Sequence, residues 1–477
     1  MLDNIRAVTL ATICGIAAIS LLYATEPVPI MLAFVIFAVL VTLAAWQPIV
    51  VLGLVAASLP LYHQPFEAGT SQLAPSELLL LAAALGTAAR ATRPDQLRRM
   101  RDFVLTRLGR LVQPFGVATF VALALLTVAG LGLLALVEDP DARSAGLREL
   151  RWTVIEPLLF VALLIWNTSR RKEQAFVVGA FIAGGFLVGI WGLIDGAVGG
   201  GVSAGGVLRV DGPFPHPNAY AMYLLRPVVL AVAYLVVTRT NRPLPWIACG
   251  IGGASLVASF SRSAALGLIV AGILLWPWLS PRLRLAGGLA ATVLGLALVL
   301  VATDRAVGSS GTDSLALRLD IWQSGLAMVR DRPILGYGPD QFLYVYSPRY
   351  IDPAAWSERF TAHSHNLLID AWVRVGIIGA VLVALALARI VRAAVATASA
   401  AKRENIDVFA MPAAITLAAS FMQGMVDNGY FVHDLAMSAW LIAWIAFAKV
   451  DIQTWRGTRL HERYRDRRGG TRWLAPL

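Results

Sequence analysis

Apolar runs of about 15–24 residues recur along almost the whole chain, parted by short polar joints. They lie near 7–23, 29–45, 47–61, 77–90, 115–137, 153–166, 174–194, 219–237, 244–260, 263–279, 284–302, 367–390, 408–427 and 433–449. A hydrocarbon layer of about 30 Å asks for roughly 20 apolar residues per helix, so this pattern predicts an all-α, polytopic transmembrane bundle. A membrane barrel would need alternating segments of about 10 residues, and none are visible. The runs at 47–61 and 77–90 are short, which leaves the count between about 12 and 14 spans. Composition agrees: 58% of the 477 residues are hydrophobic and 14% charged, where a soluble domain carries about a quarter. The first run follows a short segment with one arginine and reads as an uncleaved first span rather than a removed leader.

The net charge of +11 is distributed by topology. Arg90, Arg93, Arg98, Arg99, Arg101, Arg107 and Arg110 crowd the joint 90–113. Basic joints follow at Arg170, Arg171 and Lys172, at Arg239 and Arg242, at Arg282 and Arg284, and from Arg389 to Arg403, with a basic tail from Arg456 to Arg472. Two spans separate each from the next, so all fall on one side, which the positive-inside rule makes cytoplasmic along with both termini. This explains the charge without nucleic acid. The organisation expected is a membrane bundle over 1–302, an extracytoplasmic loop over 303–366, further spans over 367–450 and a cytoplasmic tail over 451–477. Cys14 and Cys249 both sit in apolar runs and suggest neither a disulfide framework nor a metal cluster.

The same alternation sends the distinctive polar residues to the outer side: Arg209, Asp211, His216 and Asn218, the Ser261-Arg262-Ser263 joint, Arg318, His363, His365 and Asn366, and Asp427 and His433. In the long loop, Asp313 or Ser314 can cap a helix over 315–329, with Leu315, Leu319, Trp322, Leu326 and Val329 on one face and Arg318 beside it. Pro333, Gly336, Gly338 and Pro339 predict a turn, and Pro339 suits the first turn of a second short helix from Asp340.

Arginines at such places need anionic partners. A guanidinium fork suits phosphate oxygens, and a protein carboxylate or lipid headgroup is the plainer alternative. Arg226 lies inside a span, either as a functional cation or paired with Glu156; Asp370 and Arg374 are spaced to pair with each other. His363 and His365 could supply a general base, or each could make one surface hydrogen bond. No cysteine or nearby carboxylate completes a metal set with them in sequence, and the outer joints lack neighbouring carboxylates. No Gly-x-Ser-x-Gly elbow appears.

Four stretches, RVDGPFPHPNAYA at 209–221, SFSRSAAL at 259–266, LRLDIWQSGLAMVRDRPILGYGPDQF at 317–342 and HSHNLLIDAWVRVGIIG at 363–379, resemble the O-antigen ligase and polymerase superfamily. The resemblance implies a GT-C-like bundle and an inverting glycosyltransferase acting on polyprenyl-diphosphate-linked glycans at the extracytoplasmic face of a bacterial inner membrane. It implies two essential arginines and a histidine near the donor diphosphate, with no metal and no cofactor. By motif these fall on Arg262, Arg318 and His365, with His363 a second candidate base. Arg209, Asn218, Asn366 and Arg226 are candidate substrate contacts. Ligase, polymerase and protein-directed transferase share this donor, so the acceptor stays open. A carrier of an anionic or lipid-linked substrate is the competing class; it would place polar groups and broken helices at midplane.

Overall fold

The computed structural model describes residues 5–68, 71–92, 117–204, 207–239, 243–282, 284, 314–400 and 409–447. The apolar run at 284–302, the basic cluster of joint 90–113 beyond Thr92, the Asp313 cap, the basic segment around Lys402 and Arg403, and the tail lie outside these residues. Within them the chain is helical apart from two small hairpins. Helices dominate because a chain in lipid must satisfy every backbone donor and acceptor internally.

In order, the helices are α1 (Ile5–Ala24), α2 (Ile30–Trp46), α3 (Pro48–Ser58), α4 (Pro75–Ala91), α5 (Val117–Ala135), α6 (Pro140–Leu150), α7 (Glu156–Asn167), α8 (Arg171–Ala197), α9 (Pro217–Thr238), α10 (Pro243–Ala258) and α11 (Arg262–Leu275). Then come α12 (Ser314–Asp331), α13 (Phe342–Arg349), α14 (Leu367–Ala400), α15 (Ala410–Gly424) and α16 (His433–Phe447). Several begin on proline, whose fixed φ and missing N–H suit a helix start. Four segments, Ile5–Ala24, Arg171–Ala197, Pro217–Thr238 and Leu367–Ile390, are long and apolar enough to cross a membrane. Four shorter apolar helices accompany them. Every apolar run read from the sequence within the described residues coincides with a helix.

α9 is the hub. It packs on α8, α10, α11 and α15, and its side chains are buried along nearly its whole length. α1 and much of α2 present Ile13, Ile16, Phe34 and Val35 outward, as a rim helix in lipid would.

The joints expected on the outer side are tied to one another. Val28 N–H donates to the Glu67 carbonyl at 2.8 Å, joining the first outer joint to the hairpin β1 (Phe66–Ala68) and β2 (Ser71–Leu73). Gln64 Nε2 donates to the Pro213 carbonyl at 2.9 Å. The second hairpin, β3 (Val202–Ala204) and β4 (Val207–Arg209), leads to Val210, whose N–H donates to the Ala258 carbonyl at 3.1 Å. Gln341 Nε2 donates to the Ala142 carbonyl at 2.8 Å, and Tyr430 Oη to the Thr153 carbonyl at 2.6 Å. On the opposite side, Arg171 lies 4.6 Å over the Phe409 ring.

The loop departs from the sequence reading in two places. α12 buries Leu317, Ile321, Ser324 and Met328, whereas Leu319 and Leu326 point outward. Both faces of α12 are apolar, so periodicity alone could not say which one meets the bundle. The second helix starts at Phe342, not at Asp340, which takes a left-handed φ of 51°. The expected turn is present: Gly336 and Gly338 have φ of 73° and 105°. It docks on a break in α14, where Val375 and Gly376 leave helical geometry. Tyr337 and Gly338 N–H donate to the Val373 and Arg374 carbonyls at 2.8 and 2.9 Å, and Ile377 N–H donates to the Pro333 carbonyl at 3.0 Å. The turn thus satisfies the backbone groups that the break releases.

Candidate active site

At one end of the bundle, the last residues of the long loop meet the joint between α15 and α16. His365 Nδ1 lies 3.1 Å from Asp427 Oδ1. His363 Nε2 lies 3.9 Å from the same oxygen, and Arg318 Nη2 lies 3.6 Å from Oδ2. Asp427 is 2% exposed, which would push its pKa up, yet it is held at about 2. The His365 hydrogen bond and the positive field of His365, His363 and Arg318 outweigh the burial. The carboxylate is therefore ionised and accepts the Nδ1 proton, leaving the Nε2 lone pair as the basic position. Nε2 lies 3.5 Å from Thr361 Oγ1, whose own proton goes to the His363 carbonyl at 3.1 Å.

Local structure holds this pair in place. His365 adopts φ of 55°, the left-handed region, where the chain turns from the loop into α14. Asn366 caps that helix: its Oδ1 accepts the Leu368 and Ile369 N–H groups at 3.0 and 3.1 Å. Its Nδ2 donates to the Met425 carbonyl at 3.0 Å, drawing the 425–427 backbone against the histidine. Ser364 N–H donates to Asp370 Oδ1 at 2.7 Å.

Other polar residues that the sequence places on the same side are linked to one another. Arg209 Nη2 donates to Asn218 Oδ1 at 2.7 Å and its Nε to the Ser259 carbonyl at 2.9 Å. That arginine therefore links α9 to the joint carrying Arg262. Arg262 is the exposed first residue of α11, capped by Ser261, whose Oγ accepts the Ala264 N–H at 3.4 Å. His216 caps α9, its Nδ1 accepting the Asn218 N–H at 3.1 Å. Burial lowers the pKa of His216, as do the charges of Arg209 and His365, while Asp427 opposes them; His216 thus lies within the same field. Two helix N-termini, α9 and α11, open among these cations, an arrangement that favours an anion.

The structure corrects two readings from the sequence and extends a third, the Asp370–Arg374 pair. A carboxylate does complete the His-x-His pair: donor atoms of His363, His365 and Asp427 lie within 4.8 Å of one another and could hold a metal ion. Asp427 comes from a joint 62 residues beyond His365, so spacing could not reveal it. Arg226 does not pair with Glu156. It donates to the Gly429 carbonyl at 2.5 Å, to the Leu435 carbonyl and to the Ser438 hydroxyl, whereas Glu156 takes His433 at 2.8 Å and Arg151 at 3.2 Å. Arg374 does meet Asp370 at 3.2 Å, but it also forks onto Glu149 of α6 at 2.9 and 3.1 Å.

Beneath the site lies a cavity of about 440 Å³, lined by α14, α15 and α16 with apolar side chains including Leu367, Leu417, Phe421 and Trp440. Arg226, Arg374 and Tyr430 form part of its wall. It begins beside Leu367, the residue after Asn366, and so adjoins the Asp427–His365 pair.

Fold and site together suggest a multi-pass helical membrane protein with a histidine–carboxylate pair beside an arginine. Residues 247–384 match the family model described as O-antigen ligase. Over that segment the chain is similar to the O-antigen ligase family, in keeping with the resemblance read from its motifs. The match takes in Arg262, Arg318, His363, His365 and Asn366; Arg209, Asn218, Arg226 and Asp427 lie outside it. No curated protein matches the chain.

Proposed function

We propose that this chain is an inverting glycosyltransferase of the O-antigen ligase or polymerase type. It moves a glycan from a polyprenyl diphosphate to an acceptor hydroxyl at the extracytoplasmic face of a bacterial inner membrane, with both termini cytoplasmic. The observation that carries this reading is the ionised Asp427 fixing the tautomer of His365 amid outer cations.

His365 Nε2 takes the proton of the acceptor hydroxyl as that oxygen attacks the anomeric carbon. The bond from that carbon to the diphosphate breaks on the opposite face, and its electron pair leaves on the phosphate oxygen. Arg262 and Arg318, with Arg209 behind them, offset the charge that grows there, helped by the N-termini of α9 and α11. Asn366 positions His365 through the α14 cap, and Arg226 fixes the 429 backbone. The apolar cavity suits the polyprenyl chain of the donor.

No metal is needed in this scheme. Arg318 beside Asp427 adds a fixed positive charge at the carboxylate, which favours an anionic diphosphate over a second cation. A carrier reading would want Arg226 available to cargo at midplane, but its side chain is bonded to two carbonyls and a hydroxyl.

Given a glycolipid acceptor whose hydroxyl receives the glycan, purified protein should release polyprenyl diphosphate from a lipid-linked oligosaccharide, with and without chelator. Arg318→Ala should lower the rate by about 10²–10³-fold, as expected for losing one charge-stabilising donor. Release that stops with chelator would reject the metal-free mechanism. No release by folded wild type would reject the transferase.

A further inference from the structure

The two nitrogens of His365 divide the site. Nδ1 is bound to Asp427, so an acceptor hydroxyl has to arrive at Nε2, on the side of Thr361. Immediately before Thr361 stands a short 3-10 helix, Pro353–Glu358, packed against α12, the helix that carries Arg318. It is capped by Asp352, whose carboxylate accepts the Ala354 N–H at 2.8 Å, and the Glu358 carbonyl accepts the Thr361 N–H at 3.0 Å. Its outer surface displays Trp356 and Phe360, 57% and 73% exposed. Arg359 lies between them, its guanidinium 5.4 Å from the Trp356 ring and 4.5 Å from the Phe360 ring, and its Nη1 donates to the Trp356 carbonyl at 3.0 Å. The rings are thus braced from one side and open on the other. Glu358 stands close enough for His216 to feel its charge.

We propose that Trp356 and Phe360 form the acceptor subsite, a platform on which saccharide rings of the acceptor glycan stack while one hydroxyl is presented to His365 Nε2. This rests on the transferase reading above. The apolar C–H face of a pyranose carries partial positive charge and lies well on the electron-rich face of an aromatic ring. The polar neighbours Ser357, Glu358 and Arg359 can meet the outward hydroxyls. A lipid-facing anchor would not need charged side chains between its aromatics, nor a position next to the catalytic base. The platform also divides labour: the arginines at Arg262 and Arg318 face the donor diphosphate, and the aromatic turn faces the glycan that receives the sugar.

The test uses full-length protein in lipid nanodiscs. The donor is the polyprenyl-diphosphate glycan fraction and the acceptor is the glycolipid fraction, both extracted from the source organism's envelope. Trp356→Ala and Phe360→Ala are each expected to raise the acceptor KM about tenfold, the factor set by losing one aromatic stacking contact. The donor KM and kcat at saturating acceptor stay within twofold of wild type, and Trp356→Phe recovers most of the affinity. An unchanged acceptor KM in the double variant Trp356→Ala/Phe360→Ala, with wild type active, overturns the platform alone. A parallel rise in the donor KM overturns it too, because a membrane anchor would disturb both substrates. If wild type neither releases nor transfers, the platform and the transferase reading fall together.

Discussion

A histidine becomes a directional base only when something decides which nitrogen holds the proton. In this chain Asp427 makes that decision, and burial is what gives it force. The carboxylate has one hydrogen-bonded histidine, a second histidine and an arginine within 3.9 Å, and almost no water. Asp427→Asn keeps the shape but can present an N–H to Nδ1 and favour the wrong tautomer. Turnover is expected to drop by about 10²–10⁴-fold, the span associated with general-base catalysis, with donor and acceptor KM nearly unchanged. Initial-rate measurements decide it; a loss under tenfold would remove Asp427 from the mechanism. His363 gives a second test. Burial, reinforced by the charge of His365, pushes its pKa down from 6.5 to about 4. The folded protein therefore prefers it neutral, a preference fully present above pH 6.5 and lost as the pH falls towards 4. Thermal melting followed over that window should decline, and His363→Asn should decline less steeply.

Among the elements, α14 does the positioning. Its N-terminus is fixed by the Asn366 cap, and its middle is broken at Gly376, where φ is 64°. The break is specific to glycine: a Cβ there would stand 1.9 Å from the Ile334 carbonyl oxygen. Gly336 is in the same position from the other side, with 2.5 Å to the Val373 carbonyl oxygen. The turn and the broken helix lock together, and the lock sets where the residues before α14 emerge. Gly376→Ala should cost about 1–3 kcal/mol from backbone strain alone, seen as a lower melting temperature, and should reduce transfer because His365 shifts with the helix. An unaltered melting temperature would mean that the break tolerates a side chain. α12 carries a different lesson. Its outward Leu319 and Leu326 are as apolar as its inward Leu317 and Ile321, so apolarity alone does not say which side of this helix packs on the bundle.

On the scale of the whole molecule, buried polar links fasten one outer joint to another. Arg374 of α14 reaches Glu149 of α6, 225 residues away, with side chains 3% and 7% exposed. Removing one partner of such a pair leaves a buried charge short of compensation. Glu149→Gln should therefore destabilise the protein by about 3 kcal/mol, the low end of the usual range because Asp370 remains at 3.2 Å. A melting temperature equal to wild type would show that Asp370 suffices. Tyr430 to Thr153, Gln341 to Ala142 and Arg209 to Ser259 repeat the pattern with carbonyl acceptors.

Within the described residues, the helices at the apolar runs were legible from the sequence. Apolar length and the placement of arginine are local properties, and lipid leaves a backbone little choice but helix. Arg318 and His365 were singled out from contiguous motifs, and the structure brings both to Asp427. What only the tertiary structure decided was pairing between distant segments. The charge pattern put Asp427 and His365 on one side of the bundle, but nothing in the intervening residues said that they touch. Arg226 could not be assigned its carbonyl partners, since any buried carboxylate would have served equally in one dimension. The face of α12 that turns inward and the break in α14 also depend on what packs against them. Membrane topology is written in composition along the chain; a site built from several joints exists only once the helices between them have packed.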